Sequence, residues 1–110
     1  MDENFKIIYT LLKYLKAAMD YDEADIEAIS PQTLGISENR WTHLIEMLVN
    51  DGYIQGIDIK YGAQGDAMLS ISNIRITIRG LEYLEENSFM RRAANMAKGI
   101  KDITPKIYST

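Results

Sequence analysis

The side chains best equipped for chemistry are few and scattered. A single histidine, His43, stands in a chain that has no cysteine, so the thiolate and imidazole pairings of metal sites and nucleophilic catalysis have nothing to form from. The glycines at 35, 52, 56, 62, 65, 80 and 99 match neither a phosphate-cradling loop nor a dinucleotide fingerprint, and no glycine-bracketed serine accompanies His43. The run Asp20, Asp22, Glu23, Asp25 and Glu27 holds enough carboxylates to suggest calcium. It lacks the glycine at the sixth position and the glutamate at the twelfth that shape an EF-hand loop, so it reads as a charged surface loop. No catalytic residue, metal ligand or cofactor is assigned, and the chain is expected not to be an enzyme.

Recognition chemistry is better represented. Residues 38–50 place Trp41, Leu44, Ile45 and Leu48 on one helical stripe, leaving Asn39, Thr42, His43, Glu46 and Asn50 on the opposite face with Arg40 on its flank. Asparagine and threonine can bond base edges, and asparagine suits adenine. Lys60, Gln64 and Arg75 fall in a later hairpin and could meet phosphates. The expected contacts to double-stranded DNA are thus Asn39, Arg40, Thr42, His43, Asn50, Lys60, Gln64 and Arg75. Two facts weigh the other way. No lysine or arginine lies at the centre of the face, and Glu46 would repel phosphate. A protein-interaction module that keeps the same shape is the alternative, with the hairpin charges merely guarding an exposed edge.

The elements that must position these residues are legible. Residues 3–19 carry Ile8, Leu11, Leu12, Leu15 and Met19 at helical spacing, and Lys6, Lys13 and Lys16 fall off the stripe. Ile26, Ala28 and Ile29 have room for a very short strand. Ser30-Pro31 opens a short helix that Gly35 closes, and Ser37 caps the helix of residues 38–50. Beyond Gly52 the period changes to two: Tyr53, Gln55, Ile57, Ile59 and Tyr61 share one parity, residues 62–66 turn, and Ile74, Ile76 and Ile78 share a face of a second strand. Thr77 can cap another helix in which Gly80 allows close approach to the sheet and Leu81 and Leu84 face inward. The sequence Glu85-Glu86-Asn87-Ser88 is expected to interrupt that helix, with a last one over residues 89–101. The reading is an α+β winged helix: a helix-turn-helix core, a hairpin wing and an extra C-terminal helix.

With 110 residues, one domain is the default. Residues 1–87 form the winged-helix unit, and residues 88–110 form a helix and tail that either pack on it or pair two protomers, giving a monomer or a homodimer. The last helix carries Phe89, Ala93, Met96, Ala97, Ile100 and Ile103 at helical spacing beside Arg91, Arg92, Lys98 and Lys101. The net charge of −4 divides unevenly, because the acids concentrate in the first half and the bases from Ser88 onward. No apolar run is long enough to cross a bilayer, and the acidic start is unlike a signal peptide, so the expected location is cytoplasmic with no membrane partner.

Several local strings carry a resemblance. Leu34-Gly35-Ile36-Ser37 is similar to the turn before a recognition helix. Leu48 through Gly52-Tyr53-Ile54 is similar to the passage from that helix into a wing, and Ile76-Thr77 through Gly80-Leu81 and Tyr83-Leu84 to the exit from it. With the opening helix, Met19 through Glu23 and the terminal Ala97-Lys98-Gly99, the chain resembles, over nearly its whole length, the YjcQ-like proteins, short winged-helix proteins of Gram-positive bacteria and their prophages. The resemblance implies the fold, while the helix-turn-helix pattern itself points first to a DNA-binding protein of regulatory or prophage type, with the protein-interaction module as the alternative. The resemblance implies no activity.

Overall fold

A computed structural model of the chain describes the backbone of residues 2–97 and the side chains of residues 2–88. The expectations for residues 98–110, and for how Phe89, Ala93, Met96, Ala97 and Ile100 pack, lie outside the described residues.

Helix α1 (Glu3–Ala17) begins where the Asn4 amide donates to the Asp2 carboxylate, and it buries Ile7, Leu11, Leu12 and Leu15. Its end differs from expectation. Ala18–Asp20 tighten into a 3-10 turn, which advances each residue by about 120° instead of 100°, and Met19 swings out to 60% exposure. The short strand expected at 26–29 is a second 3-10 turn, Ile26–Ile29. Asp25 explains the difference, because its side chain accepts from the Glu27 amide while its carbonyl accepts from the Ala28 amide, a local closure that competes with strand pairing.

Helices α2 (Pro31–Leu34) and α3 (Glu38–Asn50) follow as the capping residues dictate. The Thr33 amide donates to Ser30 Oγ, the Arg40 amide donates to Ser37 Oγ, and Gly35 ends α2 at φ 73°, a left-handed conformation that glycine adopts without a Cβ clash. Leu44, Ile45 and Leu48 are buried on α3. Trp41 is half-buried, and its indole N–H donates to the Ile29 carbonyl at 2.7 Å. That bond ties the 3-10 turn to α3.

The hairpin consists of β1 (Ile54–Tyr61) and β2 (Ala67–Ile76), a two-stranded antiparallel sheet. The single parity expected from Tyr53 to Tyr61 holds only from Ile57 onward. Between the pairs Gln55↔Arg75 and Ile57↔Ile71 the register shifts, so Ile54 and Ile57 are both buried while Gln55 is exposed. Gly56 makes this irregularity feasible. Its φ is 90°, and a Cβ there would stand 2.0 Å from the Asn73 carbonyl oxygen. Ile78, expected on the second strand, instead opens helix α4 (Ile78–Ala97) and is 74% exposed. The Gly80 amide donates to Thr77 Oγ1, which itself donates to the Gly52 carbonyl.

Helix α4 runs without the interruption expected at residues 85–88. Within it the Asn87 side-chain amide donates to the Tyr83 carbonyl one turn back, so the polar group is satisfied on the helix itself and does not draw the backbone into a turn. The core joins Leu11, Leu12 and Leu15 of α1 to Ile29, to Ile45 and Leu48 of α3, to Ile54, Ile57, Ile74 and Ile76 of the sheet, and to Leu84 of α4. The layout is α+β, helices followed by hairpin and helix, in winged-helix order. Leu12 is fully buried, so Leu12→Ala should lower unfolding free energy by about 2–5 kcal/mol in urea titration. Met19→Ala, at an exposed position, should shift it by less than about 0.5 kcal/mol.

Candidate binding surface

The face of α3 opposite its buried stripe is built from Asn39, His43 and Asn50, all exposed, with Thr42 and Glu46 half-buried. Glu46 is not an isolated negative charge. The Tyr61 hydroxyl at the end of β1 donates to Glu46 Oε2, so the hairpin is pinned to the middle of α3. The same bond raises the Tyr61 pKa, because losing the phenolic proton would place an anion against the carboxylate; desolvation and repulsion by Glu46 act in the same direction. Tyr61 is 56% exposed and Met47, on the Arg40 side of α3, is 51% exposed. The period-two reading placed Tyr61 on the parity of Ile57 and Ile59, which was the available signal for its facing α3. Nothing in the spacing of Glu46 marked the pair.

The remaining expected contacts do not converge on this face. Arg40 forms an ion pair with Glu3 of α1 at 3.5 Å. Lys60 and Arg75 are exposed on strand positions that alternate with the inward-facing ones, so they share the side of the hairpin turned away from Tyr61. Lys60 pairs with Met68 near the tip and Arg75 with Gln55 near the base, about 16 Å apart at strand rise. Arg75 lines a groove with Asp22 and Glu23 instead of flanking α3. Gln64 is exposed in the turn, where the Gly62 amide donates to the Asp66 carbonyl and the Gly65 amide to the Gly62 carbonyl. Thus the structure gathers Asn39, His43, Asn50, Glu46 and Tyr61, with Gln64 at the adjoining hairpin tip. Across residues 38–75 the acids Glu38, Glu46, Asp51, Asp58 and Asp66 outnumber the bases Arg40, Lys60 and Arg75.

At the other end of α3, Arg79 stacks over Tyr53 at 5.2 Å and its Nε–H donates to the Asp51 carbonyl, while Tyr53 and Tyr83 meet edge to face at 5.5 Å. Sequence reasoning singled out none of these contacts. They secure the α3 exit on α4, a structural use of the arginine. Among the described residues no three His, Cys, Asp or Glu side chains gather closely enough to hold a metal ion, and no helix is long and apolar enough to cross a membrane.

Residues 9–103 fit the family described as YjcQ protein. No curated protein and no solved structure matches.

The Tyr61–Glu46 bond has an alkaline signature. A tyrosine whose folded pKa lies above the ordinary value of about 10 contributes stability that is complete below that pH and is lost as pH rises through the folded value. Denaturant titrations from pH 9 upward should therefore show a shallower alkaline decline for Tyr61→Phe and for Glu46→Gln than for the parent chain. Equal slopes in all three would mean that the hydroxyl and the carboxylate do not meet in solution.

Proposed function

The chain belongs to the YjcQ family, and from that premise we propose that it is a winged-helix module that binds another protein and performs no catalysis. The observation that carries the reading is the charge around α3. Duplex binding draws most of its non-specific affinity from phosphate neutralisation, and proteins that rely on it make about 6–10 such contacts. Here five acids face three bases over residues 38–75, Arg40 is paired with Glu3, and Arg75 lies at the far end of the hairpin beside acidic side chains. Among the described residues Lys60 alone is a base near the tip, worth about one unit of salt slope. Meanwhile Met47 and Tyr61 expose apolar surface beside neutral hydrogen-bonding groups, the residue types enriched where proteins meet proteins. A chain without cysteine needs no oxidising compartment, so the proposed setting is the cytoplasm.

Duplex DNA is the second reading, favoured by one specific observation: Asn39, His43 and Asn50 stand exposed along one helix face, where asparagine could read adenine in a major groove, in a regulatory or prophage role.

Fluorescence anisotropy of labelled mixed-sequence duplexes at low salt separates the two, because electrostatic attraction is then strongest. The expected result is no saturable binding with folded protein at micromolar concentration. Adding charge by Glu46→Lys with Asp58→Lys should create weak, salt-sensitive binding. Saturable binding by the parent chain that Asn39→Ala or Asn50→Ala weakens by about 1–3 kcal/mol at particular base pairs would overturn the protein-binding reading.

A further inference from the structure

Among the described residues the sheet has two strands, and the segment expected to form a further short strand closes into a 3-10 turn at Ile26–Ile29. The outer edge of β2 near its base is consequently left open. The Thr77 amide donates to the Tyr53 carbonyl, and from that bond the alternation of an antiparallel pair is fixed. Arg75, opposite Gln55, turns its N–H and C=O toward β1. Ile74 and Ile76 turn theirs outward, and no other strand pairs with them among the described residues. Outside this edge lies a groove of about 290 Å³ between the end of α1 and β2. Its apolar wall includes Leu15, Ile74 and Ile76, and its rim includes Asp22 and Glu23.

We propose that this groove is a docking site for an extended basic segment of a partner protein, which adds a third strand along Ile74–Ile76 by main-chain hydrogen bonding. The inference deepens the protein-binding reading by naming where the partner sits and what it is made of.

Three observations select that occupant. Unpaired N–H and C=O groups on a strand edge are satisfied by another extended backbone, the basis of recognition by strand addition. The volume is at the lower limit of the roughly 300–1,000 Å³ typical of small-molecule pockets, which suits one or two side chains of a passing strand better than a sequestered ligand. The wall opposite β2 belongs to a stretch carrying Asp20, Asp22, Glu23, Asp25 and Glu27, every one exposed, so lysine or arginine on the incoming strand finds complementary charge. Among the described residues Arg75 is the one base along the rim. It marks the β2 side as unfavourable for a second base, which orients the charges of the partner toward α1.

The edge can be read amide by amide. Hydrogen exchange by NMR on the full chain should show Ile74 and Ile76 amides exchanging quickly and the Arg75 amide slowly. The synthetic peptide acetyl-Lys-Lys-Val-Thr-Val-Thr-amide should slow Ile74 and Ile76 together, by about tenfold at ten times its Kd. The charge-reversed peptide with two glutamates should not. In Asp22→Lys with Glu23→Lys, both on exposed positions, the preference should reverse. Slow exchange of Ile74 and Ile76 in the free protein would overturn the proposal: independent of concentration, it means the chain covers its own edge; dependent on concentration, it means a second copy does. Absence of any change with the basic peptide at millimolar concentration would also overturn it. The duplex titration is an independent measurement, so DNA binding could overturn the reading of α3 while the groove stands, and a silent groove could fail while α3 remains free of DNA.

Discussion

Thr77 Oγ1 donates to the Gly52 carbonyl and accepts from the Gly80 amide, while the Thr77 amide donates to the Tyr53 carbonyl. The exit of α3, the base of the sheet and the first turn of α4 therefore meet at one residue. Close approach is the condition for all three bonds. A Cβ at position 80 would stand 2.6 Å from both the Tyr53 carbonyl oxygen and Ile76 Cγ1, so glycine there is a packing requirement. Arg79 over Tyr53, and Tyr53 against Tyr83, seal the same joint from outside. With the base of the hairpin fixed in this way, the Tyr61–Glu46 bond near its tip sets the angle at which the hairpin leans on α3.

Much of this was legible in the residues. Ser30-Pro31, Gly35 and Ser37 announced α2 and α3 because capping is a local transaction between neighbours, and the structure satisfies each cap as the sequence implied. Thr77 and Gly80 were readable for the same reason. What escaped reading depends on partners distant in the chain. The shift at Gly56 follows from the Asn73 backbone pressing against it, which no period count over residues 53–61 contains. The helix α4 continues past Ser88 with the Asn87 side chain bonded to the Tyr83 carbonyl, although the composition of residues 85–88 suits a break. The outward turn of Met19 comes from a change of helix pitch and leaves no trace in the apolar spacing.

The binding surface was legible in composition but not in arrangement. Spacing alone placed Asn39, His43 and Asn50 on one face, and the structure keeps them there. It could not say that Arg40 would reach back to Glu3 or that Arg75 would lie beside the acidic loop. Those two placements remove positive charge from the neighbourhood of α3, and the proposed function turns on them. Charge totals treat all bases as equivalent, whereas recognition depends on the few that share a face.

The bond from Trp41 to the Ile29 carbonyl also gives the molecule a built-in optical reporter. Trp41 is the sole tryptophan, accompanied by seven tyrosines, and its indole is half-buried at the seam between α3 and the 3-10 turn. Its emission colour and yield therefore report on a single joint. Any event that separates the turn from α3 changes the polarity around one ring, without a label and without a competing indole. The chain thus lends itself to fast-mixing and single-wavelength studies in which docking of its helices is followed directly in solution.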